Sequence, residues 1–199
     1  MPILEDVKHA VETVTGIRRP YARGLRTFTR KANTFRFADD GITPNNPHFP
    51  LIHYRSPIRL DPAFDPAAIF EVLFASNGWR DSWRDGIYDF LHFHTRTHEV
   101  IGIARGHARV AFGGKKGRKL TVKAGDVVVL PAGTGHKRLS GSRDLLVVGA
   151  YPVGGTYDEP KPSDVNHAEA VSAIAKVKLP AKDPVYGRSG PLKSLWRSL

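Results

Sequence analysis

The apolar positions of this chain change their period along its length, and each change predicts a different element. Over residues 3–14, Ile3, Leu4, Val7, Val11 and Val14 recur every three or four positions, which predicts an amphipathic helix that Gly16 can end. A turn-rich connector follows to about Asn33. The stretch TFRFADDG (34–41) then alternates apolar and polar residues as an edge strand does, GITPNNPHFP reads as loop, and LIHYR (51–55) reads as another strand. DPAAIFEVLFASNGW (65–79) carries the clearest helical pattern. Asp65 suits its cap and Pro66 its first position, Ile69, Phe70, Leu73 and Phe74 form its buried stripe, and Asn77-Gly78 stops it.

From Tyr88 to Pro152 short runs of Val, Ile, Leu, Phe and Tyr alternate with Gly-rich turns, which predicts an antiparallel sandwich or barrel. Strands are expected over 87–94, 98–105, 107–112, 118–123, 126–131, 135–139 and 143–151. A short helix is expected around 163–177, with Ser163 as cap and Val171, Ile174 and Val177 on one face. Leu195 and Trp196 can tie the tail back onto the body. His53, Trp79 and Trp83 fall in segments that should pack against the barrel, where the tryptophans either roof a pocket or fill a seam between helix and sheet.

Composition narrows the chemistry. A chain of 199 residues, 41% of them hydrophobic, supports one sizeable core. The absence of cysteine excludes disulfides, thiolate ligands and cysteine nucleophiles, so any metal must be held by nitrogen and oxygen. No apolar run reaches the roughly 20 residues that span a bilayer. The first residues lack the pattern of a secretory leader, and Glu5, Asp6 and Glu12 do not suit a transit peptide, so a cytoplasmic protein is expected. The net charge of +11 is concentrated at Arg18, Arg19, Arg23, Arg26, Arg30 and Lys31, and again at Lys115, Lys116, Arg118 and Lys119. Neither cluster accompanies a nucleic-acid fingerprint. They read as solvated faces and a hairpin tip, and neither specific nucleic-acid binding nor membrane attachment is expected.

The run HFHTRTHE (92–99) raises the question of a metal site. Gly86, His92, His94, Glu99 and Gly106 are spaced G-x5-H-x-H-x4-E-x6-G, and Gly125, Pro131, Gly133 and His136 are spaced G-x5-P-x-G-x2-H. These spacings resemble the two motifs of the cupin superfamily. Within it, DDGITPNNPHFPLIHYR, NGWRDSWRDGIYDFLHFHTRTHEVIGIARG, GDVVVLPAGTGHKRLSGSRDLLVVGAYPVGGTYD and DPVYGRSGPL are similar to the YjlB-like family of small bacterial cupins, a likeness covering about residues 35–190. Ser140 departs from the general pattern, standing where an asparagine often follows the last histidine.

The resemblance implies a mainly β chain with a single jelly-roll barrel (a double-stranded β-helix) and N- and C-terminal helical additions. It places the cupin domain over 34–199, its metal core at about 86–152, and a basic extension over 1–33. It implies one divalent ion, iron, manganese, nickel or zinc, held by His92, His94, Glu99 and His136. Strand geometry agrees, because His92 and His94 share a face when two residues apart. Such a set leaves two positions of an octahedral ion open. A shorter spacing would use His98 in place of Glu99. The register of VIGIARG favours Glu99 and leaves His98 behind the ligands or facing outward. By parity Tyr88 and Phe90 line the pocket, and Arg138 can clamp an anion. The expected activity is a metal-dependent oxygenase, isomerase or lyase acting on a small polar or anionic molecule, in a chain that can form a homodimer. The competing readings are a non-catalytic binder or sensor using the same pocket, and a basic nucleic-acid-associated protein.

Overall fold

A computed structural model describes residues 18–197. The expected helix over 3–14 lies outside the described residues. Nine strands form two antiparallel sheets: β1 (Asn33–Phe35), β2 (Leu51–Tyr54), β3 (Trp79–Asp85), β4 (Glu99–Arg105), β5 (His107–Phe112), β6 (Arg118–Lys123), β7 (Val127–Leu130), β8 (His136–Gly141) and β9 (Leu146–Pro152). One sheet has the order β1-β2-β7-β4-β9-β3 and the other β6-β5-β8. This is the expected mainly β jelly roll. Among the described residues no helix is long and apolar enough to cross a membrane.

The six-stranded sheet is covered on both faces, and alternation along each strand sorts the side chains between them. On the inner face Ile101 and Ile103 of β4, Val128 and Leu130 of β7 and Val147 of β9 meet Val110 and Phe112 of the three-stranded sheet. On the outer face Val100, Ala104, Val129, Val148 and Ala150 pack against helix α1 (Pro66–Ser76) and against Trp196. Gly102 lies beneath α1, where a Cβ would collide with the Phe70 ring. Helix α1 begins as its sequence predicts, with the Asp65 side chain accepting from the Ala67 N–H at 3.1 Å. The tail does return to the body: Trp196 is buried, its Nε1–H donates to the Pro50 carbonyl at 2.9 Å, and its ring stacks on Phe49.

Two expectations are corrected, and one strand had not been foreseen. Residues 87–94 form no regular strand. Their polar groups pair at separate points instead, Tyr88 with Arg138 and His92 with His136, so the ladder is interrupted. Residues 79–85 do form one. A bulge between Arg80 and Trp83, with Asp81 at φ 53°, breaks the alternation that would have revealed it. The expected 163–177 helix is a 3-10 turn at Pro162–Asp164 followed by α2 (His167–Ile174), capped by Asn166, whose side chain accepts from the Glu169 N–H at 3.2 Å.

Candidate metal centre

The barrel opens at one end into a cavity of about 450 Å³ with His92, His94, Glu99 and His136 on its wall. Glu99 begins β4 and His136 begins β8. His92 and His94 come from the irregular segment before β4, which is pinned where it matters. His92 N–H donates to His136 O at 3.3 Å, His136 N–H returns to His92 O at 2.9 Å, and Gly133 N–H donates to His94 O at 2.7 Å. Two residues of alternation survive this pinning, so both imidazoles enter the cavity while Phe93 between them is buried elsewhere.

The three rings are held in one tautomer. Nδ1 of His92 faces the Phe90 carbonyl at 3.2 Å, Nδ1 of His136 faces the Thr134 carbonyl at 3.1 Å, and Nδ1 of His94 faces the Asp158 carbonyl. A carbonyl only accepts, so each Nδ1 carries a proton and Nε2 is the nitrogen that each ring turns inward, with a lone pair there whenever the ring is neutral. One ring nitrogen from each of the three lies within 4.8 Å of the other two. Asp158 also fastens the turn after His94. Its carboxylate accepts from Thr95 N–H at 2.9 Å, from Arg96 N–H at 3.2 Å and from the Thr95 hydroxyl.

Glu99 faces this convergence. Its Oε2 stands 3.3 Å from His94 Nε2 and 3.4 Å from His136 Nε2. Burial works against charge on both Glu99 and His94, but their mutual attraction outweighs it, so Glu99 is held well below the carboxylate range and His94 above the ordinary imidazole value. Burial, reinforced by His136, pushes His92 down to about 3. His94 Nε2 and Glu99 Oε2 are buried without an aligned hydrogen-bond partner, a costly arrangement for polar atoms in a closed wall. Three inward imidazole nitrogens and a carboxylate, among them the two buried atoms without an aligned partner, fit a divalent cation with nitrogen and oxygen ligands.

His98 is elsewhere. It has the parity of Val100, so it lies under the outer face, 4.7 Å from the Trp196 ring and 6.3 Å from Phe49. It is fully buried and neither reaches the cavity nor faces outward. Its Nδ1 accepts from the Ala132 N–H at 2.9 Å, so its proton resides on Nε2. Tyr88 lines the cavity mouth. Phe90 does not; it stacks on Tyr88 at 4.7 Å from outside. Arg138 does not line the cavity either, because two residues carry it about 6.6 Å along the strand from His136. His53 is engaged far from the mouth, with Nε2 3.2 Å from Asp126 Oδ2. Trp79 fills the outer core, and Trp83 lines the cavity.

Several wall residues lack a sequence signal. Tyr151 ends β9 on the cavity side, and its hydroxyl accepts from Trp83 Nε1–H at 2.8 Å. The Trp83 ring lies flat over Gly149, where any Cβ would displace it. Tyr157 and Glu159 arrive on an irregular loop, the Tyr157 hydroxyl donating to the Glu159 carboxylate. Only the proximity of GGTYDEP to the end of β9 could have suggested them.

Comparison with known proteins agrees with this architecture. The cupin family profile matches residues 84–172. The uncharacterized protein YjlB of Bacillus subtilis (strain 168) is 40% identical over 167 residues, which is 84% of this chain and 98% of that one. Solved structures are more distant. WlaRA, a TDP-fucose-3,4-ketoisomerase from Campylobacter jejuni, is 12% identical over 71% of this chain and 94% of its own, with a TM-score of 0.37. An acireductone dioxygenase from Bacillus anthracis with a cadmium ion in its active centre is 18% identical over 44% of this chain and 62% of its own, with a TM-score of 0.32. Bacillus subtilis oxalate decarboxylase, described with Mn(II) centres, is 18% identical over 64% of this chain and 30% of its own, with a TM-score of 0.34. The chain thus spans less than two thirds of the length of the last two.

Proposed function

Because the chain belongs to the YjlB-like family of cupins, we propose that it is a mononuclear metal-dependent enzyme acting on a small molecule bound in the barrel cavity. His92, His94 and His136 hold the ion through Nε2 and Glu99 through its carboxylate. The single observation that carries this reading is the buried pair of unpartnered atoms, His94 Nε2 and Glu99 Oε2, at the focus of three rings with the same tautomer. When bound, a divalent ion supplies a Lewis acid and a template for oxygen donors.

The chain's own residues do the rest. Glu99 places a negative charge where the ion's charge must be offset, and the carbonyls of Phe90, Thr134 and Asp158 keep the three lone pairs aimed inward. Trp83 and Tyr151, joined by their hydrogen bond, form a fixed apolar wall that excludes water from one side. Tyr157 holds a proton at its hydroxyl oxygen within reach of Glu159, so this pair can give a proton to a molecule in the cavity or take one from it. The reaction class this supports is an oxygenation, isomerisation or elimination in which a proton moves at the mouth.

The test is elemental analysis of protein purified without a metal-affinity column, alongside His94→Ala and His136→Ala with folding checked by circular dichroism. We expect close to one divalent ion per chain in the parent and loss of most of it in both variants. Full retention in both would overturn the assignment.

A further inference from the structure

The charge of the cavity mouth runs against the charge of the protein. The chain carries +11 overall, yet the residues lining the cavity include Asp81, Asp85 and Glu159 in addition to Glu99. The wall includes one arginine or lysine among the described residues, Arg84. Its guanidinium is already spent on the α1 side, with Nε and one terminal nitrogen on the Glu71 carboxylate at 2.7 and 2.9 Å and the other on Asp65 at 2.6 Å. Among the described residues that line the cavity, an anion meets carboxylates and no uncommitted arginine or lysine before it reaches the histidines; Lys161 stands outside, its Nζ 4.6 Å from the Phe90 ring. At physiological salt the Debye length is about 8 Å, so charges this close to a ligand are felt.

The remaining wall is aromatic. Trp83, Tyr88, Tyr151 and Tyr157 line the same cavity. Tyrosine phenols are neutral at physiological pH, so these rings present uncharged faces. Neutral aromatic faces beside carboxylates attract a desolvated organic cation, and a ring face alone contributes about 0.5–2 kcal/mol to such contacts. The inner end differs: the unpartnered, fully buried Glu99 Oε2 and His94 Nε2 mark a polar terminus.

From this polarity the geometry points to a ligand with an ammonium group at its outer end, held by Glu159, Asp85 and the tyrosine faces, and an oxygen donor at its inner end. The inner half rests on the metal reading above; the outer half does not. The anion expected from Arg138 is replaced by a cation, because Arg138 lies off the wall and Glu159 lies on it.

Three probes with a common hydroxyl end and different outer charge test this: choline, its neutral carbon isostere 3,3-dimethylbutan-1-ol, and the anion isethionate. Binding to the metal-loaded full chain is measured by calorimetry, with the metal content of the same samples determined. Choline is expected to bind about tenfold more tightly than the isostere, and isethionate most weakly. Glu159→Gln should reduce the advantage of choline several-fold and leave the isostere unchanged. Equal affinities, a preference for isethionate, or no choline binding at about 10 mM overturns the proposal. A preparation that binds no metal contradicts the metal reading separately, and repeating the ranking on the metal-free chain reads the rim alone.

Discussion

His94 and His98 lie four residues apart, both buried, on opposite faces of the same sheet. The His94 ring donates from Nδ1 to a carbonyl and presents an unpaired Nε2 to the cavity and to Glu99. The His98 ring accepts at Nδ1 from a backbone N–H and lies against Trp196 and Phe49 in an apolar layer. The residue type, the burial and an Nε2 without an aligned partner are common to both, so what differs is the hydrogen bond at Nδ1 and the charge across from the ring. On the inner face a carboxylate raises the basicity of His94. On the outer face nothing acidic is near, and burial pushes His98 down to about 3. One face is arranged for a cation and the other supports it.

The outer face can be broken first. Trp196→Ala removes a buried indole from beneath His98 and should lower stability by about 3–5 kcal/mol, read as a shift in urea midpoint. The folded fraction should still take up metal. Loss of metal at full folding would mean that the two faces are not separable. A sharper contrast comes from Glu99→Gln against His98→Gln. The first should weaken metal binding by more than about 100-fold, beyond the 10–100-fold usual for a partner one layer behind the ligands. The second should change it little, as competition with a chelator would show. The reverse ranking would make His98 the ligand.

The smallest effect, taken per pH unit, concerns protonation. His98 titrates at about 3 when folded against 6.5 ordinarily, so between these values the unfolded chain binds the proton and the folded chain does not. Stability therefore falls as pH drops from 6.5 towards 3, with a slope from this group approaching about 1.4 kcal/mol per pH unit. His98→Gln keeps an acceptor for Ala132 and should flatten that part of the profile. An unchanged slope would place the titration elsewhere.

The placement of Glu99 on the cavity side and of His98 beneath the outer face was legible because β4 alternates cleanly: Glu99, Ile101 and Ile103 share one parity, His98, Val100 and Gly102 the other. The strands β5 and β6 were legible for the same reason, with Gly113, Gly114 and Gly117 marking their turn. What stayed hidden depends on tertiary approach. β3 is masked by its bulge, and its two tryptophans diverge, Trp79 into the outer core and Trp83 into the cavity. The segment 87–94 carries strand-like spacing but pairs only at isolated points. Tyr151, Tyr157 and Glu159 reach the cavity, and Asp158 reaches the His94 ring from behind, from about 60 residues beyond His94, and nothing periodic announces them. The acidic residues of the cavity wall were not legible, because total charge says nothing about one wall. Glu159 is visible only once the loop is folded.

The central claim is that the inner face holds a metal through His92, His94, Glu99 and His136 while His98 takes no part. Anomalous diffraction from crystals of the protein, with data on both sides of the absorption edge of the metal found by elemental analysis, tests it most directly. The account predicts one peak in the barrel cavity, bonded to Nε2 of the three histidines and to the Glu99 carboxylate. A peak bonded to His98, or none in the cavity of metal-replete crystals, would contradict it.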